Sequence, residues 1–234
     1  MRRLLPPRRR DWLFIFAGAL IIGAIWVISV LVTHSRLPLK PQSGSITASW
    51  IPQTVKKWQA PIDEMAKKYQ VDPNLIAIVM TMESGGDPKA QSAAGAHGLM
   101  QITDVTAKDI ASKYLKKPVS RNYDLSNPND NIEFGVAYLA KLREAFGDWK
   151  QGPSWDSTVE LVAAGYNGGP GAANRIYKGE GLTDTQTVVY SRDAFNMWRE
   201  RFQKDSPTYD RWLERGGQDL IDAAKKQQQS PNHP

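Results

Sequence analysis

The chain contains no cysteine in 234 residues. No disulfide can support an exported domain, and no acylated cysteine can tether one. Its core must therefore suffice alone, which is reasonable for a domain of about 150 residues. Long strand-like alternations are also missing, so a large sheet is not expected. No metal-ligand cluster, phosphate-cradling loop or nucleotide-binding glycine motif appears, so neither a metal nor a cofactor is expected. Acidic residues are absent from the first ten positions, which carry Arg2, Arg3, Arg8, Arg9 and Arg10. Setting those five arginines aside leaves 25 basic against 24 acidic residues. The basic character belongs to the N-terminus and not to the body, which argues against a nucleic-acid partner.

An uncharged run of 21 residues follows, Trp12 to Val32. As a helix it would span about 31 Å, close to the roughly 30 Å hydrocarbon core of a bilayer. It is longer than the ~7–15-residue apolar region of a cleaved signal peptide, and Val32-Thr33-His34-Ser35-Arg36 makes a poor cleavage site. A single-pass membrane anchor is expected. The arginines in front of it place residues 1–11 in the cytoplasm and the remainder outside. Residues 33–57, with Pro38, Pro41, Ser43, Gly44 and Ser45, read as a linker. Residues 58–205 read as the folded body, and 206–234 as a last helix with a polar tail from Lys225 that is expected to be disordered.

The body has helical periodicity. Trp58, Ile62, Met65, Ala66 and Tyr69 suggest a first helix over 58–69. Asp72-Pro73 is a strong start signal for the next, and Gly85-Gly86 stops it. Glu83 falls on the face of Ile76 and Val79 in the last turn of that helix. Leu99–Ile102 suggests an extended piece within a small hairpin near 92–102, and Thr103 a cap for a helix to about Tyr114. Asn127-Pro128 opens a helix ending at Gly147, and Ser157-Thr158-Val159-Glu160 has the form of a capping box. Later helices carry Val188 to Phe202 and residues 210–226. The expected fold is mainly α with at most a small β-hairpin, preceded by one transmembrane helix.

Glu83 lies in Met82-Glu83-Ser84-Gly85-Gly86. An ordinary glutamate is only about 0.2% protonated at pH 7. A carboxyl on an apolar face at the negative end of a helix is pushed toward its neutral form. At a pKa of about 6 roughly 10% would carry a proton, as in the lysozyme example of a buried general acid. Such a group can protonate a glycosidic oxygen. For an arbitrary glutamate a position without function is the better assumption, and glycines mark turns in every protein. The combination argues otherwise here. Gly95-Ala96-His97-Gly98-Leu99-Met100-Gln101-Ile102 and Ala163-Ala164-Gly165-Tyr166-Asn167-Gly168-Gly169-Pro170-Gly171 follow Glu83 in order. His97 is read as a solvated loop residue.

These blocks, with Asn131-Ile132 and Gly135-Val136-Ala137-Tyr138-Leu139, resemble the soluble lytic transglycosylase (SLT) catalytic domain of the lysozyme-like superfamily over about residues 60–200. The resemblance implies cleavage of the β-1,4 bond between N-acetylmuramic acid and N-acetylglucosamine in peptidoglycan, with Glu83 acting as both acid and base. The muramoyl O6 hydroxyl would attack C1 and form a 1,6-anhydro sugar, so the second carboxylate of ordinary glycosidases is not needed. It further implies that Ser84 lies beside the carboxyl group, and that Gln101, Tyr166, Asn167 and Tyr190 bind substrate. Gln186-Thr187-Val188-Val189-Tyr190 departs from the family's Glu-Thr-x-x-Tyr pattern in having an amide at its first position. A muramidase of the same fold, and a glycan-binding or assembly component of an envelope complex, remain open as alternatives. The implied partners are peptidoglycan strands and the cytoplasmic membrane.

Overall fold

A computed structural model describes residues 44–115, 124–146, 155–182 and 184–229. The expected membrane span lies outside them. Among the described residues no helix is long and apolar enough to cross a membrane.

The architecture is mainly helical, with one two-stranded antiparallel sheet. In order, the elements are α1 Gln53–Lys56, α2 Gln59–Tyr69, α3 Pro73–Ser84, β1 Ala96–His97, β2 Ile102–Thr103, α4 Asp104–Asp109 running into a π turn over Ile110–Tyr114, and α5 Pro128–Phe146. Then come α6 Trp155–Tyr177, α7 Thr185–Arg199 with a 3₁₀ turn over Glu200–Phe202, α8 Pro207–Trp212 with a π turn over Leu213–Gly217, and α9 Gln218–Gln229.

The starts of these helices follow the expected chemistry. Asp72 accepts from the Asn74 N–H at 2.8 Å with Pro73 in the first turn. Thr103 accepts from Thr106 N–H at 3.2 Å and Asn127 from Asn129 N–H at 2.9 Å. One expectation is corrected. α6 begins at Trp155, so Ser157 lies inside it and does not cap it. Gly169, at φ 79° and ψ 168°, breaks α6, and Pro170 opens its second half.

α3 is the centre of the molecule. It is flanked by α1, α2, α7 and α9, and every one of its twelve residues is buried except Glu83. The expected amphipathic face is therefore absent: this helix is apolar nearly all round, as a helix enclosed on all sides must be. α5, α6 and α7 pack in series beside it. The hairpin register pairs Ala96 with Thr103 and His97 with Ile102.

Three expectations about the flanks are corrected. The linker does not extend to residue 57, because Ala48, Ile51 and Val55 are in the core. The Asn74 amide oxygen accepts from the backbone N–H groups of Thr47 at 2.8 Å and Ala48 at 3.1 Å, fixing the chain there. The polar stretch after Lys225 continues as helix to Gln229. Gln228 donates through Nε2 to the carbonyls of Gly86 at 3.0 Å and Thr54 at 3.2 Å. The single helix expected over 210–226 is broken at Arg215 and Gly216, where φ reaches 107°.

The C-terminal end of α3 is thus clasped from both flanks. Trp58 Nε1 donates to the same Gly86 carbonyl at 3.2 Å. Gly85 has φ 62°, and a Cβ there would stand 2.7 Å from the Leu220 carbonyl oxygen of α9. Gly85→Ala combines a left-handed backbone with a backbone clash and is expected to destabilise the domain by about 2 kcal/mol or more. Denaturant unfolding of the wild type and variant at one pH measures it.

Candidate active site

Glu83 is the penultimate residue of α3 and the one residue of that helix that is only half-buried. Its Oε1 accepts a 2.6 Å hydrogen bond from the Tyr190 hydroxyl of α7, 107 residues away in sequence. Glu83 is half-buried, and among the described residues no second hydrogen bond reaches its carboxyl group. Burial pushes the carboxyl group up from 4.5 to about 7, and the Tyr190 bond, which favours the charged form, opposes part of that rise. No charge from a second carboxylate among the described residues contributes. At neutral pH about half the molecules therefore carry a proton on this group. The remaining half hold a carboxylate in the same position.

The tyrosine hydroxyls beside it stay neutral. Burial raises both Tyr166 and Tyr190 well above the ordinary phenol value, and the negative charge of Glu83 raises them further. Each is held as a donor across the whole functional pH range.

The hairpin loop beside Glu83 is built by side chains that the sequence had marked for substrate. Ser84 Oγ donates to the Leu99 carbonyl at 2.7 Å, and the Tyr166 hydroxyl donates to the Met100 carbonyl at 2.7 Å. Gln101, at φ 47°, donates through Nε2 to Gly98 O at 3.0 Å and Ala90 O at 3.1 Å. Asn131, fully buried at the start of α5, accepts from Met100 N–H at 2.7 Å. It also donates to His97 O at 2.7 Å and Leu125 O at 3.0 Å. Gly98 is obligatory in this arrangement, since a Cβ there would stand 2.5 Å from Asn131 Nδ2. An orphaned buried amide is costly, so this set of bonds leaves the loop one conformation.

The expected roles are revised accordingly. Ser84 is 1% exposed and its hydroxyl faces inward, so it does not meet substrate. Gln101 is half-buried and its amide nitrogen is committed to the loop. Tyr166 presents a half-buried ring 5.3 Å from that of Tyr138, while its hydroxyl is committed. Tyr190 bonds to the carboxyl group itself. Asn167 is half-buried and meets the Thr187 hydroxyl of α7 at 2.9 Å. Asn131 was quoted in sequence only as part of a matching block. An asparagine three residues after Pro128, in the first turn of a helix, was the available signal. His97 is half-buried and pairs in the hairpin, so it is not a freely solvated loop residue. Among the described residues no group of three or more His, Cys, Asp or Glu side chains is placed to hold a metal ion.

The chain belongs to the transglycosylase SLT domain family, whose model matches residues 60–189. It is 33% identical over 141 residues to the membrane-bound lytic murein transglycosylase C of Shigella sonnei, covering 58% of this chain and 39% of that protein. It is 34% identical over 142 residues to the proteins of the same name from Salmonella arizonae and Salmonella typhi, with the same coverage. The chain thus spans about two fifths of the length of the curated relatives it matches. Among solved structures it resembles an inactive mutant of the lytic transglycosylase Slt of Pseudomonas aeruginosa, with a TM-score of 0.44 and 23% identity over 69% of this chain and 24% of that one. It also resembles the 70 kDa soluble lytic transglycosylase of Escherichia coli, with a TM-score of 0.46 and 24% identity over 65% and 27% of the two chains.

Two outcomes follow from the carboxyl group. Its folded pKa lies above its unfolded value, so the folded chain binds more protons than the unfolded chain between pH 4.5 and 7. Stability falls as pH rises through that window and is level above it. Glu83→Gln removes this penalty. It should raise stability by about 2–3 kcal/mol at pH 8 and have no such effect below pH 4, as read from unfolding at both pH values. Tyr190→Phe removes the bond that favours the charged form. The carboxyl pKa should then rise above its wild-type position, which a titration followed by NMR of the Glu83 side chain will read.

Proposed function

We propose that the chain is a lytic transglycosylase that cuts the β-1,4 bond between N-acetylmuramic acid and N-acetylglucosamine in peptidoglycan strands. The observation that carries this reading is a single carboxyl group withdrawn from water, its pKa pushed up to about 7, with one oxygen held by the Tyr190 hydroxyl.

The proton on Oε2 passes to the glycosidic oxygen. The bond from that oxygen to C1 of the muramoyl sugar breaks, and its electron pair leaves with the departing glucosamine unit. Positive charge develops at C1, and the new Glu83 carboxylate lies close enough to stabilise it. The carboxylate then removes the proton of the muramoyl C6 hydroxyl, and O6 closes on C1. The 1,6-anhydro ring forms, no water is consumed, and Glu83 is again protonated. One group serves as acid and then base, and a pKa near the working pH suits both duties. Tyr190 steadies Oε1 in both states. Tyr166 and Asn167 offer a ring face and an amide to the glycan beside the reacting bond.

The same reading makes Trp12–Val32 a single-pass anchor with residues 1–11 in the cytoplasm and the body on the wall side of the membrane. Two features support it: the arginine-rich start, and the word "membrane-bound" in the names of the relatives.

The test is mass spectrometry of the fragments that purified full-length chain releases from peptidoglycan. Products about 18 Da lighter than their hydrolysed equivalents, the mass of one water, are expected. Hydrated reducing ends would make the chain a muramidase, and no release by folded protein would make it a binding component. Glu83→Gln should retain glycan binding while turnover falls by about 10² or more. The rate constant kcat/KM of the wild type should decline with rising pH above about 7 as Glu83 loses its proton.

A further inference from the structure

Asn167 stands two residues before the kink in α6, and Thr187 stands in the first turn of α7, three residues before Tyr190. The Thr187 Oγ1 atom lies 2.9 Å from the Asn167 amide and 2.5 Å from Asp184 Oδ2. A threonine hydroxyl has one proton, and a carboxylate can only accept. The structure places the Asn167 carbonyl oxygen toward Thr187, so both Asn167 Oδ1 and Asp184 Oδ2 demand that one proton.

Asp184 has the stronger claim. It lies on the surface, where the Thr187 hydroxyl and then the Gln186 and Thr187 backbone N–H groups hold its carboxyl below the usual range. It is ionised at neutral pH, and a hydrogen bond to a charged acceptor outcompetes one to a neutral amide. The amide must then donate. Rotating it by half a turn exchanges oxygen and nitrogen without changing the outline of the side chain. All three groups are then satisfied in series: Asn167 Nδ2–H to Thr187 Oγ1, and Thr187 Oγ1–H to Asp184 Oδ2.

We infer that Asp184, acting through Thr187, fixes the Asn167 amide with its carbonyl oxygen outward, as an acceptor for the acetamido N–H of a bound sugar. The outer amide atom of Asn167 has no partner among the described residues and is not sealed from solvent. It belongs to the reaction site, because Tyr166 precedes it directly and Tyr190 lies one turn beyond Thr187, and both feel the charge of Glu83. Sugar hydroxyls donate and accept, so they would bind either orientation of the amide. An acetamido group presents N–H on one edge and C=O on the other, so the orientation selects which edge can dock. Asp184 and Thr187 are positioning residues in this scheme, and Asn167 is the contact. The glycan contact rests on the reading given under Proposed function, whereas the amide orientation does not.

The experiment is NMR on the full-length chain labelled with ¹⁵N-asparagine, with the Asn167 side-chain signal assigned by its loss in Asn167→Ser. In the wild type this amide should exchange with solvent more slowly than exposed asparagine side chains. Thr187→Val should abolish that protection, and Thr187→Ser should restore it. Wild-type amide protons that exchange at the rate of an exposed asparagine overturn the assignment. That outcome can be read even if Thr187→Val does not fold. As the second readout, Thr187→Val should weaken binding of an N-acetylglucosamine oligomer about fivefold with a smaller change in kcat, and Thr187→Ser should recover it. Unchanged binding in folded Thr187→Val overturns the groove contact. Absence of anhydro products with a protected amide would remove the lytic reading alone, and fast exchange with normal products would remove this inference alone.

Discussion

The withdrawal of the Glu83 carboxyl group from water, with one phenolic hydrogen bond in return, is the constraint around which the molecule is arranged. At neutral pH this placement opposes folding, because the folded environment prefers the proton and the solvent does not supply it freely. The opposing stability comes from the helix that carries the group. Eleven of the twelve residues of α3 are buried, so the domain contributes its deepest core to hold one carboxyl group out of water. A less enclosed helix would let water reach the group and return it to the ordinary carboxylate range.

The neighbouring loop shows the same economy. Ser84, Tyr166, Gln101 and Asn131 each give polar atoms to the backbone between Gly98 and Gln101 or to the strand beside it. The polar atoms of Ser84, Tyr166 and Gln101, which in sequence look free to meet a ligand, are bonded to the loop backbone instead. The bracing extends past the family match at 60–189. The segments around Trp58 and Gln228 both bond to the Gly86 carbonyl, so the flanks complete the support of the catalytic helix.

Much of this was legible in the chain. Asp72-Pro73, Thr103, Asn127-Pro128 and Gly85 mark helix ends through local hydrogen-bond chemistry, and local chemistry decides them in the fold. Glu83 was legible because a carboxyl in the last turn of an apolar helix is unfavourable without a purpose. What could not be read depends on long-range contact. Nothing near Ser84 in sequence indicates that its hydroxyl meets Leu99 rather than solvent, and nothing near Tyr190 indicates that it reaches Glu83. Residues 48–57 look like a linker because Pro and Ser dominate the stretch before them, yet Ile51 and Val55 find burial against distant elements. The polar sequence after Lys225 looks like a tail because its one anchoring contact, from Gln228, lies across the fold.

The enclosure of α3 on all sides also has a dynamic meaning. Segments with few buried contacts open locally at low free energy, whereas an element buried all round opens only with the whole domain. The amides of α3 therefore belong to the slowest-exchanging set in the protein. The carboxyl group they support is a fixed reference point within the domain. This ties the survival of the carboxyl group's surroundings to global unfolding, the rarest motion the domain makes.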